Sequence, residues 1–366
     1  MALPDVLIVG AGIFGLSVAW SCRKAGLSVQ VLEALTPGAG ASGGVVGALT
    51  PHAPSRWRAM MAFQFHALLS LETRIAEIES ATGRDCGYAR TGRLTPLATE
   101  KARAGAERDV AAQPDTWGNA AAYEILEEVP TDLAGWIRPE AASHGLVHDT
   151  VSARVDPRAY VKALATSLRD NIDTGVAVRS IDPSTSSVRT TEGIRTADHL
   201  IVAAGWQAWE LLTPHVPVLS GTAVKGQAAV LAADASGLPV IYQDGLYIIP
   251  HGSDRVAVGS TSEKTFEDGQ ATDGLLDDVL VKARAICPAL AEATVLERWA
   301  GLRPKPPGRE PVVGPLTLAP HIWVAGGGFK ISFGIAHAVG DAIAAGILGN
   351  TPELPLPATF APSANA

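Results

Sequence analysis

The chain has 366 residues, of which 47% are apolar and 18% are charged, and its net charge is −8. This length exceeds what one core usually supports, so we expect two domains, and the apolar content excludes a disordered chain. The negative charge, without basic runs, disfavours nucleic acid or an anionic membrane as a partner.

Three cysteines and the apolar N-terminal segment bear on the compartment. Cys22, Cys86 and Cys287 are odd in number and far apart, which fits a reducing cytoplasm and argues against a disulfide framework or a structural metal site. Residues 6–22 carry no charge, but no basic segment precedes them and glycines interrupt them. We therefore expect neither a signal peptide nor a transmembrane segment.

A glycine fingerprint lies between two predicted strands at the N-terminus. Residues 6–9 read as a buried strand, and Gly10, Gly12 and Gly15 follow it at the spacing GxGxxG. In such motifs the glycines permit a tight turn, close approach of the backbone to a pyrophosphate, and close packing of the next helix. Glu33 ends the second strand, where a carboxylate binds ribose hydroxyls and repels a 2′-phosphate. The fingerprint predicts NAD or FAD rather than NADP.

After the fingerprint, the sequence predicts a second glycine-rich loop, a long helix and then a less regular region. The glycine-rich residues 36–44 are predicted to be a second phosphate-facing loop rather than a linker, because they follow the second strand. Apolar residues at helical spacing predict a helix over residues 57–78. Residues 82–148 are less regular, with a strand at 92–97 and a polar helix at 99–112. This change of character indicates part of another domain.

The middle of the chain returns to alternating helices and strands. Asp156 is a suitable N-cap for a helix over residues 155–168. Residues 174–181 read as a strand, and residues 200–204 read as a buried strand that ends at Gly205. A glycine there permits close approach of the backbone to a cofactor.

Residues 216–258 are predicted to form an antiparallel sheet. Alternating segments are joined at Asp244 and Gly245, and an Asp-Gly step is a strong hairpin signal. Such a sheet, appended to a dinucleotide-binding domain, would serve as a platform for a substrate. A helix is predicted next, over residues 275–286.

The C-terminal part contains a second glycine-rich loop. Strands are predicted at 297–304, 311–315 and 321–325, and residues 326–334 then lead into a helix over 335–348. This arrangement places another helix N-terminus near a ligand. The cofactor is therefore expected to be held at both ends.

These motifs together resemble those of the D-amino acid oxidase superfamily of FAD enzymes. The pattern is most similar to that of glycine oxidase, and the Gly-Phe-Lys ending at residues 328–330 looks more like monomeric sarcosine oxidase. The motifs that carry the resemblance are the N-terminal fingerprint, Ala41-Ser42, and residues 155–158, 201–205, 299–304 and 326–330. They span nearly the whole chain in the right order.

The resemblance implies an α/β fold with two domains. A Rossmann-type FAD-binding domain would be assembled from discontinuous segments, and an α+β substrate domain would contribute a mainly antiparallel sheet. The FAD-binding segments would be residues 1–80, 145–215 and 295–366. The substrate segments would be residues 81–144 and 216–294.

The resemblance also implies oxidation of an amine next to a carboxylate. Hydride would pass to flavin N5, the imine would hydrolyse, and oxygen as acceptor would give hydrogen peroxide. Arg303 and Tyr247 match residues that hold the substrate carboxylate, and Lys330 falls near a second basic position. Guanidinium, hydroxyl and ammonium groups all suit a carboxylate. The alternatives are a structural ion pair of Arg303, a core role of Tyr247 and a solvated Lys330.

The cofactor is expected to be FAD, bound without a covalent link. Sarcosine oxidases of the monomeric type attach it through a cysteine, and residues 288–366 contain none. His52 either lines the flavin or is structural. The residues predicted to contact FAD are Gly10, Gly12, Ile13, Phe14, Gly15, Glu33, Ala41, Ser42, Gly47, Ala48, Leu49, Val178, Ala204, Gly205, Gly301, Arg303, Gly327, Gly328, Phe329, Lys330 and Ile331.

Several functions stay open at this point. The favoured substrate is glycine or a D-amino acid, and the alternative is an N-alkyl amino acid such as sarcosine. Two further possibilities are a tRNA-modifying flavin oxidase and an NAD-binding regulatory module. The net negative charge of the chain argues against the tRNA-modifying oxidase. The electron acceptor is oxygen or a quinone, and a homo-oligomer is left open.

Overall fold

The computed structural model describes residues 3–308 and 310–362. Residues 1, 2, 309 and 363–366, which the domain prediction includes, lie outside this part. The described helices are α1 (Ile13–Lys24), α2 (Ala59–Thr82), α3 (Glu100–Thr116), α4 (Pro157–Ser167), α5 (Ala208–Leu212), α6 (Gly274–Ile286) and α7 (Ser332–Ile347). The described strands are β1 (Val6–Val9), β2 (Val29–Glu33), β3 (Ala48–Leu49), β4 (Arg93–Pro96), β5 (Tyr123–Leu126), β6 (Leu146–Asp149), β7 (Ala153–Arg154), β8 (Ile172–Thr174), β9 (Val178–Asp182), β10 (Ser187–Thr190), β11 (Gly193–Thr196), β12 (His199–Val202), β13 (Thr222–Ala232), β14 (Val240–Gln243), β15 (Leu246–His251), β16 (Arg255–Gly259), β17 (Val295–Lys305), β18 (Val312–Leu316) and β19 (Ala319–Gly326).

A six-stranded sheet forms the centre of the first layer. Its strand order is β18-β19-β12-β1-β2-β8, and all neighbours are parallel except β18, which runs antiparallel to β19. Both faces of the sheet are covered, and its central strand β1 is accordingly apolar and buried along its whole length. Helices α1, α2, α4 and α7 cover one face, and the small antiparallel sheet β9-β10-β11 covers the other.

The carboxyl ends of the parallel strands lie at one edge of this sheet. At that edge β1 leads to Gly10, β2 ends at Glu33, β12 leads to Ala203, and β19 ends at Gly326. Open α/β sheets bind their ligands outside the carboxyl ends of the strands. The segments that the sequence singled out are therefore brought to one crevice by the strand order.

An eight-stranded, mainly antiparallel sheet forms the second layer. Its order is β17-β13-β16-β15-β14-β4-β6-β5, and the β14–β4 pair is parallel. Helix α6 packs on one face through Leu276, Leu280 and Ala283. The other face includes Ala228 and Ile249 and contacts the segment that follows the glycine-rich loop. This sheet therefore roofs the crevice, as the α/β class with a mainly antiparallel second sheet predicts.

Two details differ from the sequence prediction. The strand predicted over residues 174–181 is two strands, β8 and β9, which belong to different sheets. Gly175 separates them with a φ of +78°, a left-handed turn that favours glycine. In addition, two strands that lie within the predicted FAD-binding segments belong to the roof sheet: β6 pairs with β4 and β5, and β17 pairs with β13 along its whole length.

The predicted helices are close to the observed ones. Helix α2 is longer than its predicted range of 57–78, and α7 begins three residues earlier than its predicted range of 335–348. Within residues 3–308 and 310–362, no helix is long and apolar enough to cross a membrane.

Candidate active site

A cavity of about 850 Å³ follows the carboxyl edge of the parallel sheet. One end is lined by Glu33 and Val178, and the other by Tyr247, Arg303 and Lys330. The size is in the upper range for small-molecule sites. The cavity is therefore long enough to include both the fingerprint and the residues predicted to meet a substrate.

The fingerprint glycines are required by contacts that a side chain would obstruct. A Cβ on Gly15 would lie 1.9 Å from the carbonyl oxygen of Gly10, so only glycine lets α1 start this close to the preceding turn. Gly10 has a φ of +102° and passes close to the carbonyl of Ala203. The turn therefore opens into the cavity and leaves the first N–H groups of α1 directed there.

The carboxylate of Glu33 is fixed by two backbone donors. The N–H of Ala11 donates to Oε2 at 2.8 Å, and the N–H of Leu35 donates to Oε1 at 2.9 Å. These bonds hold the acid at the end of β2, on the cavity wall. Its remaining lone pairs can accept hydrogen bonds from vicinal hydroxyl groups.

Ser42 links the glycine-rich loop to the start of α1. Its hydroxyl accepts a hydrogen bond from the N–H of Ile13 at 3.0 Å. The loop thus lies directly across the helix N-terminus, where partial positive charge favours a phosphate. The short hydroxyl side chain can serve the same anion.

Two further glycines on the cavity wall are required by close packing. A Cβ on Gly301 would lie 2.4 Å from the Trp299 ring, and one on Gly47 would lie 1.9 Å from the carbonyl oxygen of Val155. Trp299 and both glycines line the cavity. Backbone and an indole ring therefore form part of this wall, and such groups are common in sites for aromatic ligands.

Arg303 reaches the cavity from β17, on the roof sheet. Its Nη1 donates to the hydroxyl of Ser260 at 3.0 Å, and its Nη2 donates to the carbonyl of Thr261. Gly226 on the adjacent strand provides the space, because a Cβ there would lie 2.3 Å from the guanidinium. Burial lowers the pKa of Arg303 to about 10, so the group is charged at neutral pH.

Lys330 brings a second positive charge to the same part of the cavity. Both cations lie near the Phe329 ring: the guanidinium carbon of Arg303 is 5.4 Å from its centroid, and Nζ of Lys330 is 5.9 Å away. Loss of hydration and the charge of Arg303 lower the pKa of Lys330. Among the described residues, no carboxylate forms a salt bridge with either cation.

Tyr247 is oriented by a contact that sequence reasoning missed. Its hydroxyl lies 2.9 Å from the hydroxyl of Thr50, and its ring centroid lies 4.7 Å from that of Tyr242 on the neighbouring strand, with the rings tilted by 44°. Burial raises the pKa of Tyr247, so the hydroxyl is neutral and can donate. Thr50 gave no signal of its own, because it approaches Tyr247 only through the packing of two sheets.

His52 lies beside this network but does not line the cavity. Its Nδ1 is 2.6 Å from Oε1 of Gln64, and the Gln64 amide donates to the carbonyl of Thr50 at 2.9 Å. The histidine therefore supports the segment that carries Thr50. This arrangement favours the structural reading of His52 over a place against the flavin.

The structure brings most of the predicted site residues together. Those on the cavity wall are Gly10, Gly12, Ile13, Phe14, Glu33, Ala41, Ser42, Gly47, Ala48, Val178, Ala204, Gly205, Tyr247, Gly301, Arg303, Phe329 and Lys330. Those behind the wall are Gly15, Leu49, Gly327, Gly328 and Ile331. The glycines in this second set serve packing; a Cβ on Gly328, for example, would lie 2.7 Å from the Phe14 ring. Sequence reasoning gave no role to Ser260, Trp299 or Phe333, which also line the cavity.

The fold and the site define a dinucleotide-binding oxidoreductase with a roof sheet over the cofactor crevice. The chain belongs to the FAD-dependent oxidoreductase family, whose model matches residues 5–345. FAD is accordingly its cofactor. The cavity fits this group, because its wall includes close backbone approaches at the fingerprint, the fixed carboxylate of Glu33 and the indole of Trp299.

Individual proteins of known name give a more specific comparison than the family does. Glycine oxidase of Bacillus licheniformis is 26% identical over 94% of this chain and 93% of its own length. The crystal structure of glycine oxidase from Geobacillus kaustophilus superposes with a TM-score of 0.87 at 22% identity, covering 99% of this chain and 98% of that one. Iminodiacetate oxidase from Chelativorans sp. BNC1 superposes with a TM-score of 0.83 at 25% identity, covering 98% of each chain.

Proposed function

We propose that this protein catalyses FAD-dependent oxidation of a small amino acid of the glycine or D-amino acid type. The observation that supports it best is the convergence of Arg303, Lys330 and the Tyr247 hydroxyl at one end of the cofactor cavity. Two cations that form no salt bridge with the described residues, beside a neutral hydroxyl donor, suit the carboxylate of an amino acid. The similarity to glycine oxidase agrees with this class of substrate.

Each of these residues has a distinct task in the proposal. Arg303 binds the substrate carboxylate, because its planar guanidinium is already held by Ser260 and Thr261. Tyr247 donates a hydrogen bond to the same carboxylate, with Thr50 fixing the direction of its hydroxyl. Lys330 adds positive charge. Together they would hold the substrate in one orientation, with its α-carbon facing the bound FAD.

The bound cofactor supplies the redox chemistry: FAD accepts a hydride from the α-carbon and later passes two electrons to an acceptor. We propose that the protein holds it without a covalent bond, since the strand that carries Arg303 offers no cysteine. Glu33 would bind the ribose, and Ser42 with the N-terminus of α1 would bind the pyrophosphate. The predicted site residues that do not line the cavity would support its wall through packing.

Secondary amines are the second candidate. A structural neighbour at 25% identity is an iminodiacetate oxidase, which acts on a secondary amine. An N-alkyl amino acid carries the same carboxylate and the same oxidisable C–N bond as glycine, so Arg303 and Tyr247 would serve both.

The division into an FAD-binding domain and a substrate domain is also part of the proposal. Strands β6 and β17 are counted with the substrate domain in it, because they belong to the roof sheet.

Product analysis tests the proposal. The FAD-loaded protein is incubated in air with glycine, D-alanine and sarcosine, and the 2-oxo acid, the released amine and hydrogen peroxide are measured. We expect oxo acid and amine in equal amounts from at least one substrate. Hydrogen peroxide in the same amount as the oxo acid would identify oxygen as the electron acceptor. Oxo acid that forms only with an added quinone, and without hydrogen peroxide, would identify a dehydrogenase. No oxo acid from any of them would contradict the proposal.

A further inference from the structure

The orientation of Arg303 depends on the short segment that follows β16. The hydroxyl of Ser260 accepts a hydrogen bond from Nη1 at 3.0 Å, and the carbonyl of Thr261 accepts one from Nη2. Ser260 lines the cavity, whereas Thr261 does not. The guanidinium is therefore held only as firmly as the backbone of residues 260–263.

The backbone of this segment extends the roof sheet along β13. Lys225 and Glu263 exchange backbone hydrogen bonds in both directions at 2.9 Å, and the N–H of Thr261 donates to the carbonyl of Gln227 at 3.2 Å. Gly226, between these two β13 residues, lines the cavity. Because side chains alternate along a strand, Lys225 and Gln227 point to the opposite face of the sheet, on which α6 packs.

A polar network fastens the segment on that opposite face. The Thr261 hydroxyl accepts from the N–H of Gln227 at 2.8 Å and donates to the carboxylate of Glu263. The Gln227 amide donates to Glu263 at 3.0 Å and to Asp273 at 2.8 Å, and Nζ of Lys225 lies 2.9 Å from Asp273. Lys225 is 3% exposed and Gln227 is 0% exposed, so little water competes for these bonds. These five residues form the support network.

The charge of the support network favours the protonated form of Arg303. Its one cation, Lys225, and its two carboxylates, Glu263 and Asp273, give a net charge of −1 (+1 − 1 − 1). Burial lowers the pKa of Arg303 to about 10, and the charge of Glu263 opposes that decrease. The network thus offsets part of the cost of burying the guanidinium without forming a salt bridge to it.

We propose that the support network positions Arg303 for the substrate carboxylate, with Thr261 as its central positioning residue. The network fixes the backbone of residues 260–263, and that backbone holds the guanidinium in one orientation. This inference rests on the proposed function, in which Arg303 binds the carboxylate. It predicts that the Thr261 hydroxyl contributes to substrate affinity although it lies outside the cavity.

Thr261→Val, Thr261→Ser and Thr265→Val form the matched test set. Valine removes the hydroxyl but keeps the carbonyl that Arg303 uses, and serine keeps both groups. Thr265 is an exposed residue of the same loop and does not line the cavity. The substrate dissociation constant is obtained from the anaerobic reduction of the FAD-loaded protein at increasing concentrations of glycine, sarcosine or D-alanine.

We expect Thr261→Val to raise this dissociation constant about fivefold, the factor typical of one lost hydrogen bond. Thr261→Ser and Thr265→Val should stay within about twofold of the wild type, since both keep the network intact. The dissociation constant of FAD should be unchanged in every variant. Wild-type substrate affinity in Thr261→Val, an equal rise in Thr261→Ser or Thr265→Val, or an equal weakening of FAD binding would overturn the inference.

A second background tests whether the effect passes through Arg303. In Arg303→Leu the network has no guanidinium to orient, so adding Thr261→Val should lower the second-order rate of flavin reduction by less than about twofold. The full loss seen in the wild-type background would show that Thr261 acts independently of Arg303, and it would overturn the inference.

Gln227→Met removes the same connection from the β13 side and decides the question if Thr261→Val does not fold. We expect a similar rise in the substrate dissociation constant, and wild-type affinity in Gln227→Met would equally overturn the inference. Reduction of the wild-type flavin without an effect of either variant would overturn the inference and leave the proposed function standing. No reduction of the wild-type flavin by glycine, sarcosine or D-alanine would overturn both.

Discussion

Arg303 shows how the surrounding backbone prepares a charged side chain for a ligand. Gly226 leaves room for its guanidinium, and a hydroxyl and two carbonyls hold it in place. These partners are neutral, so they orient the group without cancelling its charge. The sequence left open a structural ion pair of Arg303 with nearby Glu297 or Glu310. In the structure Glu297 pairs with Arg158, and Glu310 accepts a hydrogen bond from the hydroxyl of Thr359.

Arg303→Leu should raise KM for the amino acid substrate at least about tenfold, since a charge-assisted contact of roughly 1.5–3 kcal/mol is removed. Steady-state kinetics with the FAD-saturated protein measure this. Arg298→Leu is the control, because Arg298 lies on the same strand but forms a surface salt bridge with Asp277. An unchanged KM in Arg303→Leu, or an equal rise in both variants, would argue against the role of Arg303.

Glu33→Gln should weaken FAD binding about tenfold while the far-ultraviolet circular dichroism stays unchanged. The amide has one acceptor oxygen where the carboxylate has two, and both carboxylate oxygens already accept backbone N–H groups. Titration of the apoprotein with FAD gives the dissociation constant. Glu72→Gln, at an exposed site on α2, should bind FAD normally. Wild-type affinity in Glu33→Gln would exclude Glu33 from the ribose site.

At the scale of elements, α7 is held to its neighbours by buried polar groups as well as by apolar packing. It follows the second glycine-rich loop and packs against α1 and α2. Asp341 on α7 accepts hydrogen bonds from Arg74 of α2 and Ser21 of α1. His337, one turn earlier, is 3% exposed and lies 3.1 Å from the Ser70 hydroxyl. Helix α7, which begins just after Lys330, is therefore held against α1, the helix that follows the fingerprint.

His337 predicts a specific dependence of stability on pH. Burial, followed by the charge of Arg74, lowers its pKa from 6.5 to about 4. Between these values the unfolded chain binds more protons than the folded one, so the free energy of unfolding falls as pH falls, by up to roughly 3 kcal/mol. Urea denaturation of the FAD-saturated protein across this interval measures the effect.

His337→Gln should flatten that dependence, since the titrating group is gone. His66→Gln, at an exposed position of α2, should keep the wild-type slope. The same slope in His337→Gln as in the wild type would mean that other groups account for the acid sensitivity.

At the scale of the whole molecule, the part of the cavity around the fingerprint and Glu33 was predictable, and much of the part around Arg303 was not. Gly10, Gly15 and Glu33 lie within one strand–helix–strand unit, so their local spacing specifies their geometry. Arg303 and Lys330 were found only through the family resemblance. The Ser260 and Thr261 contacts of Arg303, and the Thr50 contact of Tyr247, depend on packing between distant segments, which no local pattern encodes.

The same distinction applies to the fold. Helices α1–α4, α6 and α7 and the buried strands β1, β12 and β19 were predicted because their apolar patterns are local. The membership of β17 in the roof sheet was not, because its partner β13 lies some seventy residues earlier in the chain. Which sheet a strand joins depends on the strand it pairs with, and the strand's own sequence does not specify that partner.

The central claim is that the cavity selects an amine by its carboxylate and presents it to FAD. Anaerobic bleaching of the FAD-loaded protein by matched pairs tests this most directly: glycine against methylamine, sarcosine against dimethylamine, and D-alanine against ethylamine. The account predicts that at least one carboxylate-bearing member bleaches the flavin while its partner without the carboxylate leaves it oxidised. Equal bleaching within every pair, or no bleaching by any amine of a flavin that dithionite reduces, would contradict it.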